Sequence, residues 1–94
     1  MISREDIEEF TDGEKFYAVW KRSTKNTIAF YSGKMSDLPV RGKYAEDRFL
    51  LEDTNEDGEK YIKATVTISN IIYIMKEEGG EVLENKPLDI EAVA

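Results

Sequence analysis

Glu59-Lys60-Tyr61-Ile62-Lys63-Ala64-Thr65-Val66-Thr67-Ile68-Ser69-Asn70-Ile71-Ile72-Tyr73-Ile74-Met75 is the stretch on which the fold turns. Side chains alternate across a strand with period two. Ile62, Ala64, Val66 and Ile68 therefore predict one apolar face, and Tyr61, Lys63, Thr65 and Thr67 a polar one. Ser69-Asn70 breaks the alternation for two residues, a length suited to a single 3₁₀ turn. Beyond it the run from Ile71 to Met75 is almost continuously apolar, which predicts a strand covered on both faces.

Upstream, the polar run Asp53-Thr54-Asn55-Glu56-Asp57-Gly58 predicts the turn of a hairpin whose other strand, Arg48 to Glu52, centres on Phe49 and Leu51. Before that, residues 34–47 hold Pro39, Gly42 and scattered charges without a period, as a long connection does. A first hairpin precedes the connection. Phe16, Ala18 and Trp20 point one way and Tyr17, Val19 and Lys21 the other; Ser23 to Asn26 turns the chain, Thr27 to Ser32 returns it, and Gly33 marks a bend or bulge. At the start, Ser3 and Asp6 form a capping box, Ile2 and Ile7 a hydrophobic staple, and Ile7 with Phe10 the apolar stripe of a helix over about residues 4–11. Downstream, Gly79-Gly80 either turns a last hairpin with Val82-Leu83 or begins a flexible tail. The expected fold is mainly β: a small five- to six-stranded antiparallel barrel with a short N-terminal α-helix. Residues 1–78 form its single domain, and residues 79–94 an acidic hairpin or tail.

A chain of 94 residues has room for one domain, and 40% hydrophobic with 35% charged residues places it among globular rather than disordered sequences. It contains no cysteine and no histidine, which removes disulfides, thiolate nucleophiles, imidazole ligands and the commonest general base. No apolar run approaches a membrane span, no membrane partner is expected, and Met1 to Asp6 lacks a signal-peptide stretch, so the cytoplasm is the expected location. The net charge of −7 argues against a protein that coats nucleic acid, yet it is unevenly spread. Residues 1–14 carry −5, residues 15–48 carry +5 and residues 49–94 carry −7. Aromatic residues interleave with the basic island in the middle.

The run Val66-Thr67-Ile68-Ser69-Asn70-Ile71-Ile72-Tyr73-Ile74 resembles the second signature motif of the Sm proteins, in which a strand ends at a small polar turn and continues as an apolar strand. The order of helix, bent meander, polar hairpin and tightly joined last strands is similar to that of the SH3-like and Sm-like small barrels. Thr67-Ile68 stand where that family has Arg-Gly, and nothing between Ile28 and Leu51 matches its first motif, so the family's RNA binding does not carry over. The resemblance implies a barrel, and it makes Ile71, Ile72, Tyr73 and Ile74 an oligomer edge through which neighbouring copies of a ring would pair. Closure of a monomer's own barrel by the same strand is the equal alternative.

Asp53-x-Asn55-x-Asp57-Gly58 matches the first half of a calcium loop, but position twelve, where a bidentate Glu belongs, is Ala64. A polar hairpin tip is the plainer explanation, and no metal or other cofactor is expected. The abundant carboxylates sit in a sequence without a phosphate-cradling Gly loop or nucleophile elbow, so an enzyme is not expected either. The candidate binding patch is Trp20, Lys21, Arg22, Lys25, Tyr31, Arg41, Lys43 and Tyr44. Its competing explanation puts Phe16, Trp20 and Phe30 in the core and pairs the lysines with acids. The expected function is a non-catalytic interaction and assembly module that binds a protein partner and self-associates through edge strands. The alternatives are single-stranded RNA or DNA binding by residues 15–48 and an acidic inhibitor that imitates nucleic acid.

Overall fold

Ser3 opens the first element as the sequence predicts: its Oγ accepts from the Asp6 N–H at 3.1 Å, while Asp6 Oδ2 accepts from the Ser3 N–H at 2.9 Å. The helix α1 (Arg4–Thr11) ends at Asp12, whose left-handed φ of 47° lets its N–H reach the Glu8 carbonyl. Ile2 and Ile7 are both buried, so the staple fixes α1 against the sheet. The computed structural model describes residues 1–22, 24–77 and 79–85.

Six strands follow: β1 (Phe16–Lys21), β2 (Ile28–Met35), β3 (Arg48–Thr54), β4 (Lys60–Thr67), β5 (Ile71–Lys76) and β6 (Val82–Glu84). They form one antiparallel sheet in the order β4-β3-β2-β1-β5-β6. The 3₁₀ turn Ile68–Asn70 joins β4 to β5, as the two-residue break predicts. Among the described residues, hydrogen bonds do not close the sheet, and β4 and β6 stand at its two ends.

β2 serves two partners. Ile28 to Gly33 pair with β1, then Lys34 and Met35 pair with Glu52 and Leu51 of β3. The change of partner falls at Gly33, where a Cβ would lie 2.6 Å from the Glu52 carbonyl oxygen and 2.9 Å from Leu51 Cγ. Only glycine lets the backbones approach that closely. The bend predicted at this residue is thus a crease inside β2, and the strand runs past it. One core draws on both halves of the sheet and on α1, with Ile7, Phe16, Phe49, Leu51, Val66 and Ile74 fully buried at its centre.

Two slips of register overturn details that strict alternation predicts. Leu51 pairs with Ala64 but Glu52 pairs with Ile62, so Lys63 bulges out of the β3–β4 ladder and Ile62 leaves the core face, 42% exposed. A second slip, between Val19 and Trp20 of β1, takes pairing on β5 from Tyr73 to Ile71 and skips Ile72. Ile72 is 45% exposed, so β5 is not covered on both faces. Nor is β5 an edge: β1 flanks one side, and Tyr73, Ile74 and Met75 pair with Glu84, Leu83 and Val82 of β6 on the other. Over residues 79–85 the last segment is therefore a hairpin. The rest of the predicted acidic tail lies outside the described residues. Phe30 also departs from expectation, because Ala29 and Gly33 take the inner face of β2 and leave Phe30 outside.

Candidate functional site

Arg22 follows β1 directly, and its N–H donates to the Thr27 carbonyl at 2.8 Å to hold the first hairpin. Its Nη2 donates to the Tyr31 hydroxyl at 2.7 Å, and its guanidinium lies 5.6 Å from the Tyr31 ring centre. Trp20 packs on the same ring with centroids 5.7 Å apart. These side chains wall one side of a cavity of about 330 Å³, with Thr24 and Lys25 at the hairpin tip. Lys63, Ala64, Thr65 and Thr67 of β4 form the opposite wall. Among the described residues, no carboxylate lines it.

The cavity unites four of the predicted patch residues, Trp20, Arg22, Lys25 and Tyr31, and leaves the other four elsewhere. Lys21 is exposed on the opposite face of β1, across from Ile28. Arg41 and Lys43 belong to the β2–β3 connection, where Lys43 and Arg48 lie 5.8 and 5.3 Å from the ring centre of the exposed Tyr44. Trp20 is only 4% exposed and belongs to the core. Lys63, Thr65 and Thr67 are the members that the sequence patch omits. Their signal is present in the polar alternation of β4, but nothing local says that this face meets the first hairpin.

Lys63 reaches inward from its bulge. Its Nζ donates to the Ser32 carbonyl and to Asp53 Oδ2, each at 3.0 Å. Lys15 adds a second cation, 3.5 Å from Asp53 Oδ1. The Asp53 carboxyl is held below the ordinary aspartate range, first by the Thr54 N–H that donates to it, then by the Lys63 hydrogen bond and the charges of Lys15 and Lys63. Asp6 is likewise lowered, by the backbone and side chain of Ser3. At the hairpin tip that matches half a calcium loop, Asn55 Oδ1 accepts from the N–H groups of Asp57 and Glu59, both at 2.9 Å, and Gly58 turns at φ 83°. The oxygens of Asp53 and Asn55 are thus engaged in lysine pairing and turn geometry.

β4 has no strand against its outer edge among the described residues. Beside its first half, Leu38, Tyr61 and Ile62 line a shallow depression and are each more than 40% exposed. A second apolar surface covers the outer face of the other half-sheet. There the rings of Tyr17 and Phe30 lie 5.3 Å apart, in register with Tyr73 and Met75 of β5. A cavity of about 650 Å³ separates α1 from the β2–β3 connection, and Arg4 spans its rim by donating to the carbonyls of Ala45 and Arg48. No helix among the described residues is long and apolar enough to cross a membrane. Comparison with known protein families, curated proteins and solved structures finds no match to the chain.

Proposed function

We propose that the chain is a non-catalytic interaction module that takes an extended segment of a protein partner along the outer edge of β4. The observation that carries this reading is the edge itself. β4 spans eight residues, and its outer backbone groups face no strand among the described residues. Such groups are a template for one more strand. The bulge at Lys63 leaves Ala64 to Thr67 as the regular stretch, paired to β3 from Leu51 to Arg48 on its inner side. The helix-first order and the 3₁₀ link between β4 and β5 support kinship with the Sm-like and SH3-like interaction barrels.

The nucleic-acid alternative has less support. Its basic residues are dispersed, with Arg22 and Lys25 at the cavity, Lys21 on the opposite face of β1 and Arg41 and Lys43 in the β2–β3 connection, and Trp20 is buried, with no free ring face for a base. The edge reading is tested by amide chemical shifts of the labelled chain against short extended peptides. Perturbations are expected at Ala64 to Thr67 and their β3 partners. Perturbations confined to β6 or to the Tyr17–Phe30 face would sink it. Sedimentation of the chain alone separates a foreign partner from self-association, which would appear as growth of mass with concentration.

A further inference from the structure

The cavity beside this edge states what chemistry the incoming segment must carry. Resting on the strand-addition reading, we propose that the space between the first hairpin and β4 seats a carboxylate side chain, so that the partner segment is an acidic extended peptide. The walls supply cations from Arg22, Lys25 and Lys63 and hydroxyls from Thr24, Thr65 and Thr67, with no acid among the described residues. Lys63 is already answered by Asp53 at 3.0 Å. Arg22 and Lys25 therefore hold the charge that faces a ligand. Arg22 is also the best placed, because the Tyr31 hydroxyl at 2.7 Å and the Tyr31 ring fix its guanidinium while a planar fork still has further donors. A carboxylate matches that fork with two parallel hydrogen bonds.

Geometry joins the cavity to the edge. Ala64, Thr65 and Thr67 line the cavity and also belong to the regular part of β4, so a strand laid along them passes the cavity mouth. Side chains of an added strand alternate, and every second one faces the cavity. The recognised pattern is an acid alternating with a residue of any kind. The molecule carries −7 overall, so its long-range charge opposes an acidic peptide, and a local reversal of sign such as this cavity is needed to favour one. A nucleic acid is less suited to the same cations, because Tyr31 already carries Trp20 at 5.7 Å and Arg22 at 5.6 Å, leaving little aromatic surface for bases.

The test is titration of the isotopically labelled full chain with two synthetic peptides, one alternating Glu with Thr and one alternating Gln with Thr. The Glu peptide is expected to bind about tenfold more tightly, equivalent to about 1.4 kcal/mol, and to shift the Arg22 side-chain signal together with the amides of Ala64 to Thr67. Arg22→Gln should erase the difference between the peptides. Lys25→Gln, at an exposed position that the core does not use, should reduce it without any change in fold. Equal binding of both peptides at β4 overturns the carboxylate seat and leaves the edge reading standing. Glu-dependent shifts at Arg22 without shifts along β4 overturn strand addition, on which the inference rests. Tighter binding of oligothymidylate than of the Glu peptide, at the same Arg22, overturns the inference in favour of nucleic acid.

Discussion

The two edges of the sheet are finished in opposite ways. β6 is three residues long and is locked at its end by Asn85. The Asn85 Oδ1 accepts from the Ile2 N–H at 3.1 Å, its Nδ2 donates to the Ile71 carbonyl at 3.0 Å, and its own N–H donates to Ile72. β4 is eight residues long, and its one interruption is the bulge at Lys63. Short, tied edges are how proteins prevent stray pairing, and a bulge with an inward lysine is a milder form of the same protection. The difference teaches that one edge of this sheet is short and tied down, while the other is long and guarded only by its bulge.

The comparison is sharpened most by the core behind each edge. Phe49 lies under the β3–β4 pair with 1% exposure, whereas Leu83 of β6 only packs against the core from its margin. Phe49→Ala should cost about 3–5 kcal/mol in chemical denaturation, and Leu83→Ala about 1 kcal/mol. Equal costs would mean that β6 is as integral as β3. Next in size is the lock on β6. Asn85→Ala removes both side-chain hydrogen bonds and should cost about 1–2 kcal/mol, with faster amide exchange confined to β5 and β6. Protection lost equally at β4 would break the contrast.

At the other edge, Lys63→Val removes the inward charge from the bulge. It should cost about 1 kcal/mol of stability and make sedimentation concentration-dependent, whereas the same change at the exposed Lys60 should not. The smallest effect is the acid limb of the stability curve. Asp53 titrates below an unfolded aspartate, so its contribution is complete above the unfolded value of about 3.9 and disappears as pH falls through the lower folded value. Asp53→Asn should flatten thermal stability against pH over that interval. An unchanged slope would remove Lys15 and Lys63 as its partners.

Much of the fold was legible because periodicity reports burial directly. The capping box, the first hairpin, β3, the long polar hairpin and the 3₁₀ break at Ser69-Asn70 all stand where the pattern puts them. What escaped are the places where one extra residue enters a strand. A bulge at Lys63 or a skipped Ile72 leaves composition untouched while exchanging inside for outside, so Ile62 and Ile72 read as core and are exposed. The site was legible by halves. Trp20, Arg22, Lys25 and Tyr31 are close in sequence and announce themselves, while Lys63, Thr65 and Thr67 join them only through the curvature of the sheet. No rule of alternation shows that a hairpin tip and an edge strand distant in sequence share a cavity.

The crease at Gly33 gives the molecule a line along which force is concentrated. β3 and β4 are joined by seven residue pairs, whereas β3 is joined to β2 by two, Lys34 with Glu52 and Met35 with Leu51, and by the bond from the Ser36 N–H to the Leu50 carbonyl at 2.8 Å. Tension applied through a segment attached to β4 crosses the seven-pair ladder first and the two-pair ladder second. Under such a load the β2–β3 junction is the expected place for the sheet to part, while the 3₁₀ turn Ile68–Asn70 still ties β4 to β5.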